Sequence, residues 1–116
     1  MKRAKIEKGF KVTCSDSSGR HSAIRHGAAG SARYFVGKWT RPRKGCGPLC
    51  VFASAEAAKY FNEIYGEDGF EVWGCLFERS RGRKAWIGGT CSTLKSLPGG
   101  TVLARRVKLV RKLVRQ

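Results

Sequence analysis

Only one segment of this chain carries the full marks of a helix, with cap, stripe and stop, and most other patterned stretches read as strand or turn. Ser54 stands where an N-cap belongs. Over Ala55–Tyr65 the apolar residues Ala57, Ala58, Phe61, Ile64 and Tyr65 recur at helical spacing. Glu56 lies in the first turn, where the helix dipole favours an acid, and Gly66 supplies the stop. One helix cannot enclose a core alone. The fold class this implies is α+β: a small, twisted, mainly antiparallel sheet of four to six strands with one helix packed across it.

The strands are read from alternation. Gly9–Cys14 sets Phe10, Val12 and Cys14 on a buried side and Lys11 and Thr13 on a wet one. Ser15–Gly19 is a turn by composition, and Arg20–His26 is the expected return strand of a hairpin. Tyr34–Thr40 is predicted as a further strand and Arg41–Pro48 as a basic loop. Leu49–Phe52 is a short apolar strand. Gly69–Glu78 is apolar on both faces, with Phe70, Val72 and Leu76 against Trp73, Cys75 and Phe77, which suits a central strand. Arg79–Gly89 is predicted as a second basic loop and Leu97–Gly100 as a turn. Over Thr101–Gln116 helix and strand both fit the periodicity. The turn just upstream and the valines favour a strand at Val107–Val110.

A length of 116 residues fits one domain, with residues 1–8 expected as a flexible basic arm. No apolar run approaches the roughly 18 residues of a membrane span, and no apolar signal core follows the basic start. A cytosolic protein, in a host cell if viral, is the expectation. The five cysteines, at 14, 46, 50, 75 and 91, are odd in number, which argues against a secreted disulfide framework. Cys46 and Cys50 are the candidate metal ligands, with His21 or His26 to complete a set. They are separated by three residues where knuckles have two, and no second close pair exists, so buried thiols and no cofactor are expected. A Cys46–Cys50 or Cys75–Cys91 disulfide stays open as an alternative.

Charge is sorted along the chain. Residues 1–45 carry net +10, residues 46–78 net −5 and residues 79–116 net +11, within a formal total of +16. An idle surface intersperses the signs, because like charges held together repel. Two basic arms around an acidic middle therefore ask for a polyanion, and nucleic acid returns counterion-release entropy for each phosphate contacted. The acids Glu56, Glu63, Glu67 and Asp68 are expected on and after the exposed helix face. There they keep it wet or meet the basic arm of a second copy in a homo-oligomer.

Three stretches are candidate nucleic-acid contacts. The first runs from Arg33 to Lys44, with Arg33, Lys38, Arg41, Arg43 and Lys44 interleaved with Tyr34, Phe35 and Trp39. That is the mixture by which single strands are held, with cations on phosphates and rings on bases. Tyr34 and Phe35 are expected in the core, while Trp39 fits core and base contact equally. The second is Arg79, Arg81, Arg83, Lys84 and Trp86, freed by Gly82 to enter a groove or follow a backbone. The third is Arg105, Arg106, Lys108 and Arg111, several of which share a face in a strand or a helix. A membrane-surface helix is the weaker reading there, since no Trp or Phe anchors it. Catalytic motifs are absent: there are only two His, no paired carboxylates and no Walker, HExxH or GxSxG pattern. Glu78 reads as a surface ion-pair partner for Arg79 or Arg81 rather than a general base.

A resemblance adds to this. Tyr34-x-Val36-Gly37-Lys38-Trp39, then Val51-Phe52-Ala53-Ser54-x-Glu56-Ala57-Ala58-x-x-Phe61, then Pro98-x-Gly100-Thr101-Val102-Leu103-Ala104-x-x-Val107-Lys108-Leu109 together resemble small α+β proteins of phages and prokaryotic viruses. The resemblance spans roughly residues 9–112. It implies a shared fold and a viral setting, and it carries no activity or catalytic residues across. The function expected is non-enzymatic DNA or RNA binding by a viral accessory or regulatory protein. The alternatives are an effector docking on an acidic host protein and, third, a small nucleotide- or nucleic-acid-processing enzyme.

Overall fold

The sheet closes on itself. The structure, a computed structural model, describes residues 5–16, 19–22, 33–43, 46–66, 70–81, 84–87, 90–93 and 97–113, with backbone alone at 16, 46, 85–87 and 90–93. Its elements in chain order are β1 (Ile6–Asp16), β2 (Gly19–Ser22), β3 (Trp39–Thr40), β4 (Cys46–Gly47), β5 (Leu49–Phe52), α1 (Ala55–Tyr65), β6 (Phe70–Arg79), β7 (Lys84–Ile87), β8 (Thr90–Thr93) and β9 (Thr101–Lys112). All pairings are antiparallel. β6 lies between β1 and β9, the central place its two apolar faces predict. The other edges of β1 and β9 are joined by β5, through Phe10 opposite Phe52 on one side and Leu49–Phe52 along Thr101–Ala104 on the other. The result is a ring, β1–β6–β9–β5. β2 continues the free edge of β1, and β3 that of β9. β4, β7 and β8 form a separate three-stranded piece.

The ring has two cores. Inside it lie Tyr34, Val51, Trp73, Cys75, Phe77, Ala104, Val107 and Leu109. Outside, Val12, Cys50, Phe52, Val72 and Leu103 pack under Ala58 and Phe61 of α1. Phe61 meets Phe52 at 5.5 Å between ring centroids. The helix forms as its sequence requires: Ser54 Oγ accepts from the Ala57 amide, and the Gly66 amide donates to the Asn62 carbonyl where the chain leaves in extended backbone. Only its Ala57–Ala58–Phe61 stripe packs. Ile64 and Tyr65, expected on the buried face, stay exposed, with the Tyr65 ring leaning on Phe61 at 5.1 Å.

Several expectations change. Ile6–Lys8 are not part of a flexible arm. They pair with Glu78, Phe77 and Leu76, and residues 1–4 lie outside the described residues. The return strand is Gly19–Ser22, with 23–26 outside the described residues. Tyr34–Thr40 is strand only at Trp39–Thr40, because Gly37, at φ 79°, turns the chain before it can pair. Both basic loops contribute strand, in β4 and β7. β9 is a strand along its whole length.

The ring, with the helix over it, also buries β1 on both faces from Lys11 to Cys14. Lys11 and Thr13, expected in water, are enclosed within it. Gly9 precedes them at the tightest point of closure. A methyl there would sit 2.7 Å from the Phe77 ring and 3.0 Å from the Phe52 carbonyl oxygen, on β6 and β5 at once. Gly9→Ala is therefore expected to destabilise the fold by about 1–3 kcal/mol in urea denaturation, since neither neighbour can retreat. Gly74→Ala is the control. Its added methyl meets only the Arg111 carbonyl, at an ordinary 3.6 Å, and stability is expected to hold or rise slightly.

Candidate nucleic-acid interface

Register decides what the outside of the ring shows. Directly paired residues share a face, so Lys8 of β1, Leu76 of β6, Lys108 of β9 and Trp39 of β3 form one outward row across four strands. Ile6, Glu78 and Arg106 form the next row. The helix covers the other end of this face, leaving these rows uncovered.

Two irregularities enrich the face further. The pairing of β6 with β9 passes from Arg106 to Ala104 and from Arg111 to Leu109, so Arg105 and Val110 are extra residues with no partner on β6. A bulge turns two successive side chains to the same side. Arg105 and Arg106 accordingly both reach Glu78, at 3.4 and 2.8 Å. Val110 and Arg111 are likewise both exposed, while Leu109 and Val107 stay inside.

Trp39 is neither core nor a free ring. It is half-buried, with the Arg106 guanidinium 4.2 Å and the Lys108 ammonium 5.8 Å from its centroid. Cations over an aromatic face are held by its quadrupole, so Trp39 positions Arg106 and Lys108. Phe35, expected in the core beside Tyr34, is instead exposed at the turn.

Two acids of the acidic block are consumed within the chain. Glu71 and Glu78 lie on β6, which the fold places between the basic strands. Glu78 takes Arg105 and Arg106 rather than the neighbouring Arg79 and Arg81. Glu71 binds Arg20 at 3.1 Å and Lys112 at 2.9 Å, with Arg20 lying over the Trp73 ring. Burial opposes ionisation of Glu71, but the hydrogen bonds from Lys112 and Arg20 outweigh it and hold the carboxyl below its usual range. Glu7 receives two hydrogen bonds from Arg79, which lower its pKa and raise that of the guanidinium. These two groups sit at opposite ends of the inward-facing residues of β6 and cap the ring at Trp73 and at Phe77.

The predicted contact residues therefore divide. Arg79 belongs to a cap, and Arg106 and Arg105 are tied to Glu78. Lys38, Arg41, Arg43, Arg81, Lys84 and Arg111 are exposed, Lys108 is half-buried, and none of them enters an ion pair among the described residues. Arg33 is exposed but bridges to His21 beside β2, away from the Lys8–Trp39 row. Lys44 and Arg83, together with the Trp86 and Cys46 side chains, lie outside the described residues. So do Glu67 and Asp68; Glu56 and Glu63 are exposed on the helix as expected. Cys14, Cys50 and Cys75 are buried thiols, and no three potential metal ligands converge among the described residues. No described helix is long and apolar enough to cross a membrane.

A second polar cluster, missed in the sequence, lies inside the ring. Lys11 reaches from β1 to the closing wall, donating to Ser22 Oγ at 2.6 Å and to the Cys50 carbonyl at 2.5 Å, with its ammonium 5.3 Å from the Tyr34 ring. Desolvation pushes its pKa down to about 8. The same enclosure raises the Tyr34 phenol and pushes the Cys75 thiol up to about 12. No carboxylate partners Lys11 among the described residues, and Lys11 and Tyr34 are closed off from solvent, so the cluster's part is to tie β1 to β2 and β5. Comparison with protein-family models, with curated proteins and with solved structures finds no match for this chain.

The Lys11 shift has a pH signature. Its folded pKa lies below the unfolded value near 10.5, so the native state releases the proton first as pH rises. The ammonium's burial penalty is present below pH 8 and is relieved between about pH 8 and 10.5. Over that window wild type is expected to gain on Lys11→Met by about 1 kcal/mol per pH unit in denaturation experiments. Cys75, whose raised pKa costs stability as pH climbs past 9, is itself held down by the Lys11 charge, so the slope between pH 8 and 9, below the Cys75 window, is the one that reads Lys11. A flat difference would mean Lys11 titrates normally.

Proposed function

We propose that this protein binds nucleic acid without enzymatic activity, holding DNA or RNA by its phosphates with weak sequence preference. The observation that carries the reading is the uncovered outer face of β1, β6, β9 and β3. Lys8, Arg105, Arg106, Lys108 and Arg111 stand there against Glu78, the single acid of this face among the described residues, with Lys38, Arg41 and Arg43 beside its β3 edge. The fold has already matched Glu7, Glu71 and Glu78 to cations, so the remaining positive charge on this face has no internal counterpart among the described residues. Cations fixed on a sheet are also pre-organised, which reduces the ordering cost of each phosphate contact. A role as a viral accessory or regulatory protein is supported by the resemblance of the strand, turn and cap motifs.

Fluorescence anisotropy with random DNA and RNA oligomers tests this. Log affinity is expected to fall against log salt with a slope of about −4 to −8, from counterion release at about 0.7–0.9 per contact. Replacing Lys8, Lys108 and Arg111 together by Gln is expected to flatten that slope by roughly two to three units. Glu78→Gln, which removes the acid at the centre of this cation row, is expected to tighten binding several-fold at low salt, on the order of a single removed like-charge contact. Absence of wild-type binding at low ionic strength overturns the reading and brings docking on an acidic protein to the front.

A further inference from the structure

We infer that Phe35 is the base-stacking residue of this face and that the nucleic acid it takes is single-stranded; this rests on the nucleic-acid reading above. The turn that carries Phe35 is pinned at both ends. Tyr34 is buried inside the ring and its amide donates to the Arg20 carbonyl at 2.8 Å. The Lys38 amide returns to the Phe35 carbonyl at 3.1 Å, and Gly37 donates to the Leu109 carbonyl at 2.9 Å. Gly37 adopts φ 79° to make that return, a conformation only glycine holds cheaply. Between these anchors Phe35 and Val36 are left 55% and 46% exposed.

An exposed Phe on a fixed turn has its apolar surface in water for no structural gain. The residue after Leu109 is Val110, thrown outward by the second β9 bulge and 53% exposed. The hydrogen bond from Gly37 to Leu109 therefore sets the Phe35–Val36 turn beside a second apolar residue. The cations at this place are Lys38, Lys108 and Arg111, and no acid occurs from Arg33 to Arg43. A ring with cations around it suits a base stacked on the ring and phosphates on the cations. An acidic protein surface would match the charge but leave the ring without use. Trp39, the more obvious stacking residue from sequence, already has Arg106 over its face. A base inside a duplex offers no free face to a side chain on a short turn, so the partner is a strand with unstacked bases.

Wild type, Phe35→Ala and Phe35→Trp are to be compared by anisotropy on matched single-stranded and duplex oligomers across a salt series, with circular dichroism to confirm folding. Phe35→Ala is expected to weaken single-strand binding about tenfold at unchanged salt slope and to alter duplex binding less than twofold, while Phe35→Trp binds single strands at least as well as wild type. Equal single-strand affinity for wild type and Phe35→Ala overturns this inference alone, because the wild-type salt slope still establishes nucleic-acid binding. So does an equal loss on duplex and single strand, which would make the ring a support for the turn. If wild type binds neither form at low salt, the broader reading and this one fall together.

Discussion

Closing four strands into a ring leaves an interior too narrow for free choice of side chain, and most of the molecule follows from how that interior is filled. β1 must pass close to both β6 and β5. Gly9 allows this by giving its space to the Phe77 ring. Two residues on, the same inward direction falls to Lys11, which is long enough to cross to the closing wall and satisfy its ammonium on Ser22 and Cys50. Tyr34, Trp73, Cys75, Val107 and Leu109 occupy the rest of the volume. A buried lysine without a carboxylate is costly to retain, yet removing its ammonium would leave the Cys50 carbonyl enclosed without that donor.

The segregation of charge along the chain has a structural answer before it has a functional one. A chain of net +16 would repel itself if its basic arms were simply laid side by side. β6, drawn from the acidic block, runs between β1 and β9, drawn from the two basic ones, and sets Glu71 against a cation of each basic arm and Glu78 against two of β9. Part of what looked in sequence like a demand for an external polyanion is met by the fold. Only the surplus on the outer face remains for a partner, and it is more local than the sequence suggests.

The helix, its cap and the central position of β6 were legible because each rests on short-range rules: a capping serine, an apolar stripe, a strand apolar on both sides. Lys11 was not, because its alternation with Phe10 and Val12 is that of a half-exposed strand, and nothing local announces a ring. β9 resisted for a different reason. Its inward residues are Val102, Ala104, Val107 and Leu109, a sequence whose parity changes at the Arg105 bulge, so neither a period of two nor a helical period runs through it. Phe35 was misplaced because its neighbour Tyr34 does enter the core, and the turn at Gly37 reverses the chain before the alternation can continue. Of the candidate contacts, the β9 and β3 residues are named by the sequence; that Lys8 shares their face follows only from the register.

The bulges also connect stability to the proposed function. A regular strand would bury every second residue of β9 and show the others singly. The two extra residues instead let Val107 and Leu109 keep the interior filled while Arg105 joins Arg106, and Val110 joins Arg111, on the outside. Arg106 is then held between Glu78 and Trp39, which fixes its guanidinium and supports one side of the row without freeing it for a phosphate. Lys108, at 5.8 Å from the Trp39 ring, and Arg111 sit on the same rigid strand with no ion pair among the described residues. The division of labour between anchored and available cations is thus a property of strand register, and a one-residue slip in β9 would turn Lys108 inward and empty both cores at once.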